Sequence, residues 1–231
     1  MHSKMIRGAA ALALAAACLS AQAASVTLTD WAFGSGNTVN STMYKGAAGG
    51  FTGSLSGAGA FDSTPFTTYC VELTEFFSFG STAMTDYNLV SGNSYFGNTK
   101  ATALGKLMTY VSLNPTQVDT AAESTSLQLA IWNIVYDTDY SVSTASIFRD
   151  VSAYAAQANV LLAGAQSVSS SLYNVFALRK DGSQDFLLTQ LRNTDDGSTT
   201  SSSVPEPGSA ALALLAIGAL GFSTRRAVKR S

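Results

Sequence analysis

Residues 120–136 read TAAESTSLQLAIWNIVY, and this stretch predicts the central helix of the fold. Thr120 and Glu123 have the spacing of a capping box, which satisfies two unpaired backbone N–H groups at the start of a helix. Four apolar residues then recur at the spacing of one helical face and are expected to face the core: Leu127, Ile131, Ile134 and Val135. The stretch therefore predicts a helix from about residue 121 to residue 136.

Two further helices and several strands are expected around this segment. Residues 99–113 place apolar side chains on one stripe and end before Pro115, and residues 151–165 are compatible with a third helix. Runs rich in β-branched and aromatic residues, bounded by turn residues, predict strands before and after the helices: 26–33, 51–55, 66–73, 75–79, 87–90, 172–178 and 185–191. Residues 46–59 are glycine-rich and are expected to form a loop or an irregular hairpin.

This order of elements indicates the fold class. Strands, then helices, then strands are typical of an α+β fold. We expect a β-rich, sandwich-like or barrel-like body at residues 24–192, with an inserted helical section. A signal peptide is expected at residues 1–23, a flexible linker at 193–203, and a sorting segment with a short transmembrane helix at 204–231.

The composition indicates a folded body with an acidic surface. The chain has 231 residues, of which 46% are hydrophobic and 12% are charged, and this balance excludes disorder throughout. Six of the 13 basic residues lie near the two ends, so residues 24–203 hold 7 basic and 14 acidic residues. We expect no nucleic-acid partner, because binding to phosphates requires a basic surface.

The first 23 residues have the three parts of a secretory signal peptide. Lys4 and Arg7 form the basic start, residues 8–19 form the apolar stretch, and Ala21 and Ala23 form the small-x-small site for signal peptidase. Cys18 offers an alternative, a lipoprotein signal, but the large apolar residue usual three places before a lipidated cysteine is missing. We therefore expect export of the body.

The last 28 residues predict a second targeting segment. Pro205, Glu206 and Pro207 precede an apolar stretch at residues 209–222, which is short for a hydrocarbon core about 30 Å thick. A basic cluster follows and is expected to stay in the cytoplasm: Arg225, Arg226, Lys229 and Arg230.

This segment resembles the PEP-CTERM sorting signal of Gram-negative bacteria, which joins Pro-Glu-Pro, a short apolar helix and an Arg-rich end. The resemblance implies a temporary anchor in the inner membrane and processing near Pro205-Glu206-Pro207 by an exosortase. Such signals usually occur in strains that make exopolysaccharide. The expected destination is the cell surface, the outer envelope or the extracellular matrix.

The residue inventory of the exported body excludes most enzyme chemistry. The only histidine, His2, lies in the signal peptide, which excludes Ser-His-Asp and Cys-His catalysis and histidine-ligated zinc or copper. One cysteine, Cys70, remains after cleavage, so neither an internal disulfide nor a cysteine metal site can form. We expect no enzyme, no metal and no cofactor.

Cys70 lies in the segment TTYCVEL, a predicted strand at residues 67–73, and Gln128 lies 58 residues later within SLQLAIW on the predicted helix. Together these segments resemble the paired motifs of bacterial thioester domains, in which a Tyr-Cys on a strand meets Gln-x-Ala-Ile-Trp on a helix. The resemblance implies that the Cys70 sulfur and the Gln128 side-chain carbonyl join as an internal thioester. Three neighbours are the candidates for shielding that bond from water: Tyr69, Ile131 and Trp132.

A thioester implies covalent attachment that happens once, to an amine or a hydroxyl on a surface or matrix partner, and no catalytic turnover. A buried, inert Cys70 would instead leave a structural protein of the envelope or the biofilm matrix. Glu72 and Glu75 are candidates for the carboxylate pair of a secreted hydrolase, a remote alternative. The acidic pairs at residues 137–139 and 195–196 fit turn or solvating residues better than a calcium loop.

Overall fold

The computed structural model describes residues 23–137, 139–144 and 146–192. The predicted signal peptide up to Gln22, the linker and the sorting segment lie outside these residues. Within the described ranges, no helix is both long enough and apolar enough to cross a membrane.

The body is a β-rich, nearly closed, barrel-like sheet with helices, so the predicted α+β class is confirmed. Six strands pair antiparallel in the order β5-β4-β1-β6-β7-β8, and β2 and β3 form a separate two-stranded ribbon. The strands are β1 (Ala24–Trp31), β2 (Asn37–Asn40), β3 (Lys45–Ala48), β4 (Phe51–Ser56), β5 (Ser63–Thr68), β6 (Met84–Ser91), β7 (Tyr173–Lys180) and β8 (Ser183–Leu191).

The residues that follow β5 bring the two outer strands of the sheet together. The amide N–H of Val71 donates to the carbonyl oxygen of Asp185 at 3.1 Å, and the N–H of Leu187 donates to the carbonyl of Tyr69 at 2.9 Å. Cys70 forms an isolated bridge to Phe186 of β8 between these two bonds. The β5 chain thus meets β8 over a few residues, and Cys70 lies at the centre of this seam.

Four helices lie in the chain between β6 and β7, which are neighbours in the sheet. They are α1 (Gly92–Phe96), α2 (Asn98–Leu113), α3 (Ala121–Tyr136) and α4 (Ala155–Ser167). The bounds of α3 and its capping box agree with the prediction: the Thr120 hydroxyl accepts from the Glu123 N–H, and the Glu123 carboxylate accepts from the Thr120 N–H.

Helix α3 is buried on more sides than its apolar stripe predicts. Every side chain from Ser124 to Ile134 is buried, including polar ones. Some of these find partners in other elements: the Thr125 hydroxyl donates to the Ala48 carbonyl at 2.8 Å, and the Ser126 hydroxyl donates to the Tyr154 carbonyl at 3.1 Å. Such bonds make the burial of polar side chains tolerable, so α3 forms the centre of the core.

Three expectations about the strands were wrong. The segment 75–79 is not a strand, and β5 ends at Thr68, so Cys70 follows the strand instead of lying within it. The Glu72 carboxylate explains the change of direction, because it accepts from the N–H groups of Thr74 and Glu75 and bends the chain into a turn. The glycine-rich residues 46–59, expected to form a loop or an irregular hairpin, contain most of β3 as well as β4, and the predicted strand at 51–55 is confirmed as β4. Glycines there permit a close approach between strands.

Gly53 offers a test of this packing. A Cβ atom at residue 53 would lie 1.7 Å from the backbone carbonyl oxygen of Thr27, which cannot move without breaking the β1–β4 pairing. We expect Gly53→Ala to lower the free energy of unfolding by about 3 kcal/mol. Urea denaturation measures this, with Gly80→Ala as the control, since its nearest neighbour to a Cβ would be 3.9 Å away. Equal stability of the two variants would contradict the β1–β4 register.

Candidate functional site

The side chain of Gln128 on α3 binds both backbone groups of Cys70. The Cys70 N–H donates to Gln128 Oε1 at 2.9 Å, and Gln128 Nε2 donates to the Cys70 carbonyl oxygen at 2.8 Å. The structure therefore brings together the two residues that the sequence motifs single out, across 58 positions of the chain.

A gap in the sheet explains why a side chain lies there. Along a strand, alternate residues direct their N–H and C=O groups to opposite neighbours. The residues on either side of Cys70 bond to β8, so the N–H and C=O groups of Cys70 itself point the other way, toward the side of β4. Strand β4 begins at Phe51, which pairs with Thr68, so it does not extend as far as Cys70. The Gln128 carboxamide has a carbonyl oxygen and, on its NH2 group, an N–H on the same side, so it can pair with both backbone groups of one residue as a neighbouring strand would. It takes the place of the missing strand.

The N-terminal half of α3 fixes the position of Gln128 through further polar contacts. The Ser124 hydroxyl oxygen accepts from the Gly50 N–H at 2.8 Å and lies 3.3 Å from the Tyr69 hydroxyl. Both partners belong to the chain that surrounds the gap, one before β4 and one after β5. The helix is therefore fastened to both edges of the gap into which Gln128 reaches.

Burial keeps the Cys70 thiol protonated at neutral pH. Its side chain is almost fully enclosed, and Gln128 has no exposed surface. Loss of hydration raises the pKa of the Cys70 thiol well above its usual range, and the negative charge of Glu72 raises it further. A free thiolate nucleophile is thus strongly disfavoured in this environment.

A cavity of about 360 Å³ opens beside the two residues. Its walls are largely aromatic, and several rings contact one another: Phe51 lies 4.7 Å from Phe77 and 5.0 Å from Trp31, centroid to centroid. The polar part of the lining includes Glu72 and Glu75. The lining residues that matter here are Trp31, Tyr44, Phe51, Cys70, Glu72, Glu75, Phe76, Phe77, Phe79, Gln128, Trp132 and Gln184.

The three predicted shielding residues have different positions. Trp132 lines the cavity, one helical turn after Gln128, with its ring centroid 5.2 Å from that of Tyr44. Tyr69 and Ile131 are buried in the core but do not line this cavity. Further apolar lining comes from Trp31 and Phe51 and from the segment 76–79, whose sequence reads FFSF.

Three of the seven cavity residues named above that the sequence did not single out as site residues lie in that segment. Its three phenylalanines within four residues predict a strand. A cluster of aromatic residues directly after the turn at Glu72 also indicates a segment that covers a site. Gln184 had no signal at all. Its side chain donates to the Glu72 carbonyl at 3.1 Å and helps to hold the turn that carries the cover.

The carboxylates near the site hold backbone turns. Glu72 accepts from its own turn, and one oxygen of Glu75 accepts from the Gly182 N–H at 2.7 Å. Asp137 and Asp139 likewise accept from backbone N–H groups, those of Phe148 and Ser141. In the described part of the chain, no group of three or more His, Cys, Asp or Glu residues could hold a metal ion.

Comparison with protein families concerns the other end of the chain. Residues 203–227 match the PEP-CTERM protein-sorting motif. The chain carries a PEP-CTERM sorting signal. It is therefore an exported protein whose membrane-anchored precursor is processed by an exosortase for the cell surface. Comparisons with curated proteins and with solved structures found no match, so none supports the resemblance of the body to thioester domains.

The sorting signal predicts a processing defect. We expect Glu206→Ala to block cleavage near Pro205-Glu206-Pro207, so that the larger precursor accumulates in the inner membrane. Immunoblotting of membrane and extracellular fractions measures this, with Asp181→Ala, an exposed acidic residue of the body, as the control. Normal release of the Glu206 variant would show that this residue is not required for sorting.

The paired hydrogen bonds predict a structural role for Gln128 that is independent of any reaction. In a Cys70→Ala background, where no thiol can react, Gln128→Leu leaves the buried N–H and C=O of residue 70 unpaired. Each of the two unpaired groups costs about 1–3 kcal/mol, so we expect the free energy of unfolding to fall by about 2–6 kcal/mol.

Urea denaturation of the single and double variants measures this loss. Gln190→Leu in the same background is the control, since Gln190 is exposed on β8, and its effect should stay within about 0.5 kcal/mol. A Gln128→Leu effect as small as that of the control would contradict the observed pairing.

Proposed function

We propose that the exported body is a covalent attachment module that acts once, through an internal thioester between Cys70 and Gln128. The observation that supports this most directly is the pair of hydrogen bonds, at 2.9 and 2.8 Å, between the Gln128 carboxamide and the Cys70 backbone. They hold the candidate acyl donor against the residue that bears the candidate thiol.

Formation of the thioester is an exchange of an amide for a thioester within one molecule. The Cys70 sulfur attacks the side-chain carbonyl carbon of Gln128, a C–S bond forms, and the C–N bond breaks. The thiol proton passes to the leaving nitrogen, which departs as ammonia. The thiolate is the nucleophilic form of cysteine, and burial disfavours it, so the sulfur must give up its proton to the leaving nitrogen as the attack proceeds.

Two features of the site favour this exchange. The Cys70 N–H donates to the carbonyl oxygen of Gln128, where negative charge would develop during attack. The fixed contact between the residues makes the step effectively unimolecular, and good orientation supplies about 7–11 kcal/mol in well-aligned systems. Both features are present before any reaction begins.

The attachment step uses the stored acyl group. An amine or hydroxyl of a surface or matrix partner attacks the carbonyl carbon, the C–S bond breaks, and the proton of the nucleophile ends on the Cys70 sulfur. The partner is then joined to residue 128 by an amide or an ester. The aromatic lining of the cavity would limit competing attack by water.

A second candidate is a structural protein of the envelope or matrix in which Cys70 never reacts. The same two hydrogen bonds favour it, since they satisfy the buried backbone of Cys70 without any chemistry. A buried, protonated thiol is also what an inert cysteine requires. The two candidates differ in one bond and can be separated by mass.

The intact mass of the secreted protein tests the proposal. A thioester makes the protein lighter by one ammonia, about 17 Da, than its processed sequence, and Cys70 then resists alkylation in the unfolded state until methylamine is added. Cys70→Ala should restore the sequence mass and abolish methylamine incorporation at residue 128. A wild-type protein with the full sequence mass and an alkylatable Cys70 would overturn the thioester and leave the structural candidate.

A further inference from the structure

The indole N–H of Trp132 has no hydrogen-bond partner in the described part of the chain, although its nitrogen is buried. The side chain is only 3% exposed, and it lines the cavity that holds Cys70 and Gln128. An unpaired buried donor costs about 1–3 kcal/mol, so such groups are rare and call for an explanation.

We infer that this cavity binds a neutral saccharide and presents one of its hydroxyl groups to the acyl group of residue 128, with Trp132 Nε1–H donating to that hydroxyl. The inference rests on the proposed function and specifies its acceptor. The ligand then supplies the partner that the indole lacks.

The count of lone pairs favours a hydroxyl over an amine at this position. A hydroxyl has one O–H donor and two lone pairs, so it can accept from Trp132 with one pair and attack with the other. A neutral amine has a single lone pair, which the indole N–H would block. An ammonium has no lone pair and leaves the indole unpaired.

The walls of the cavity suit the rest of a sugar ring. Trp31, Phe77 and Phe79 offer apolar faces against which the C–H faces of a pyranose can pack, and Phe76, 75% exposed, extends them to the mouth. The volume of about 360 Å³ lies within the range of small-molecule sites, about 300–1,000 Å³.

Charge limits the class of saccharide. Two carboxylates line the cavity, those of Glu72 and Glu75, and they can accept from sugar hydroxyls while repelling acidic sugars. Both already accept from backbone N–H groups, and Glu75 does so through one of its two oxygens. The acidic balance of residues 24–203 acts in the same direction.

The transfer step balances without a further reactant. The saccharide oxygen forms an ester bond with the carbonyl carbon of residue 128, and the C–S bond to Cys70 breaks. The hydroxyl proton passes to the sulfur, which is released as a thiol. The product is one saccharide chain esterified to the protein.

Reversible binding is tested first, in the exported protein with Cys70→Ala, so that the result does not depend on a thioester. The chain has two tryptophans, Trp31 and Trp132, and both line the cavity, so tryptophan fluorescence reports on it directly. We expect saturable changes with at least one of maltotriose, cellotriose and mannotriose, and none with trigalacturonate.

Variants of the same protein separate the contacts. Trp132→Phe keeps a ring but removes the N–H, and we expect the dissociation constant to rise about tenfold, the effect of one neutral hydrogen bond. Phe76→Ala removes an exposed ring at the mouth and should weaken binding without affecting folding. Ile147→Ala, 65% exposed and not part of the lining, is the control and should bind as the parent does. Failure of all three neutral trisaccharides to bind would overturn the inference.

Covalent transfer is then followed by intact mass in the protein with Cys70 present. We expect a saccharide adduct that mild alkali removes, formed more slowly in Trp132→Phe than in the Ile147→Ala control, while methylamine incorporation in Ile147→Ala equals that of the parent. Methylamine incorporation without any saccharide adduct would leave the thioester intact and refute the saccharide acceptor. If neither forms, the proposed thioester fails, and the fluorescence titration alone decides whether the cavity binds sugars.

Discussion

The central interaction of this protein is the pairing of one side-chain amide with one backbone residue. Cys70 lies where β5 ends and the sheet closes onto β8, and no strand of the described residues pairs with it on its other side. A buried peptide group without a partner is costly, so the closure of the sheet depends on a substitute. Gln128 provides this substitute. Helix α3 must therefore have one position along its axis and one rotation about that axis relative to Cys70.

The remaining architecture can be understood from this requirement. The capping box at Thr120 sets where α3 begins, Ser124 and Thr125 fasten its first turns to the chain around β3 and β4, and the apolar side chains that follow fill the core. The turn at Glu72 then returns the chain over the seam, and the phenylalanines of residues 76–79 cover the gap. The arrangement that completes the sheet also creates a largely aromatic cavity beside a thiol and an amide.

The two candidate functions use the same geometry and differ in one covalent bond. The pair of hydrogen bonds stabilises the closure of the sheet in either case, and the proposed attachment function adds a single reaction between Cys70 and Gln128. The PEP-CTERM signal is compatible with both candidates, because it determines export and processing and does not determine the function of the body. The unpaired indole of Trp132 is the feature that the structural role does not explain, and it points to a ligand in the cavity.

Local signals were sufficient for much of this protein. The capping box and the 3.6-residue pattern predicted the bounds of α3. Pro205-Glu206-Pro207, followed by an apolar stretch and a basic cluster, predicted the sorting signal. The motifs around Cys70 and Gln128 predicted that these two segments meet. The tertiary structure alone decided how they meet and that α3 is buried on nearly every side. It also decided that residues 75–79 form a cover and that Gln184 supports it. The reason is physical: periodicity and capping are short-range properties of the chain, whereas a gap in a sheet exists only after distant strands have paired.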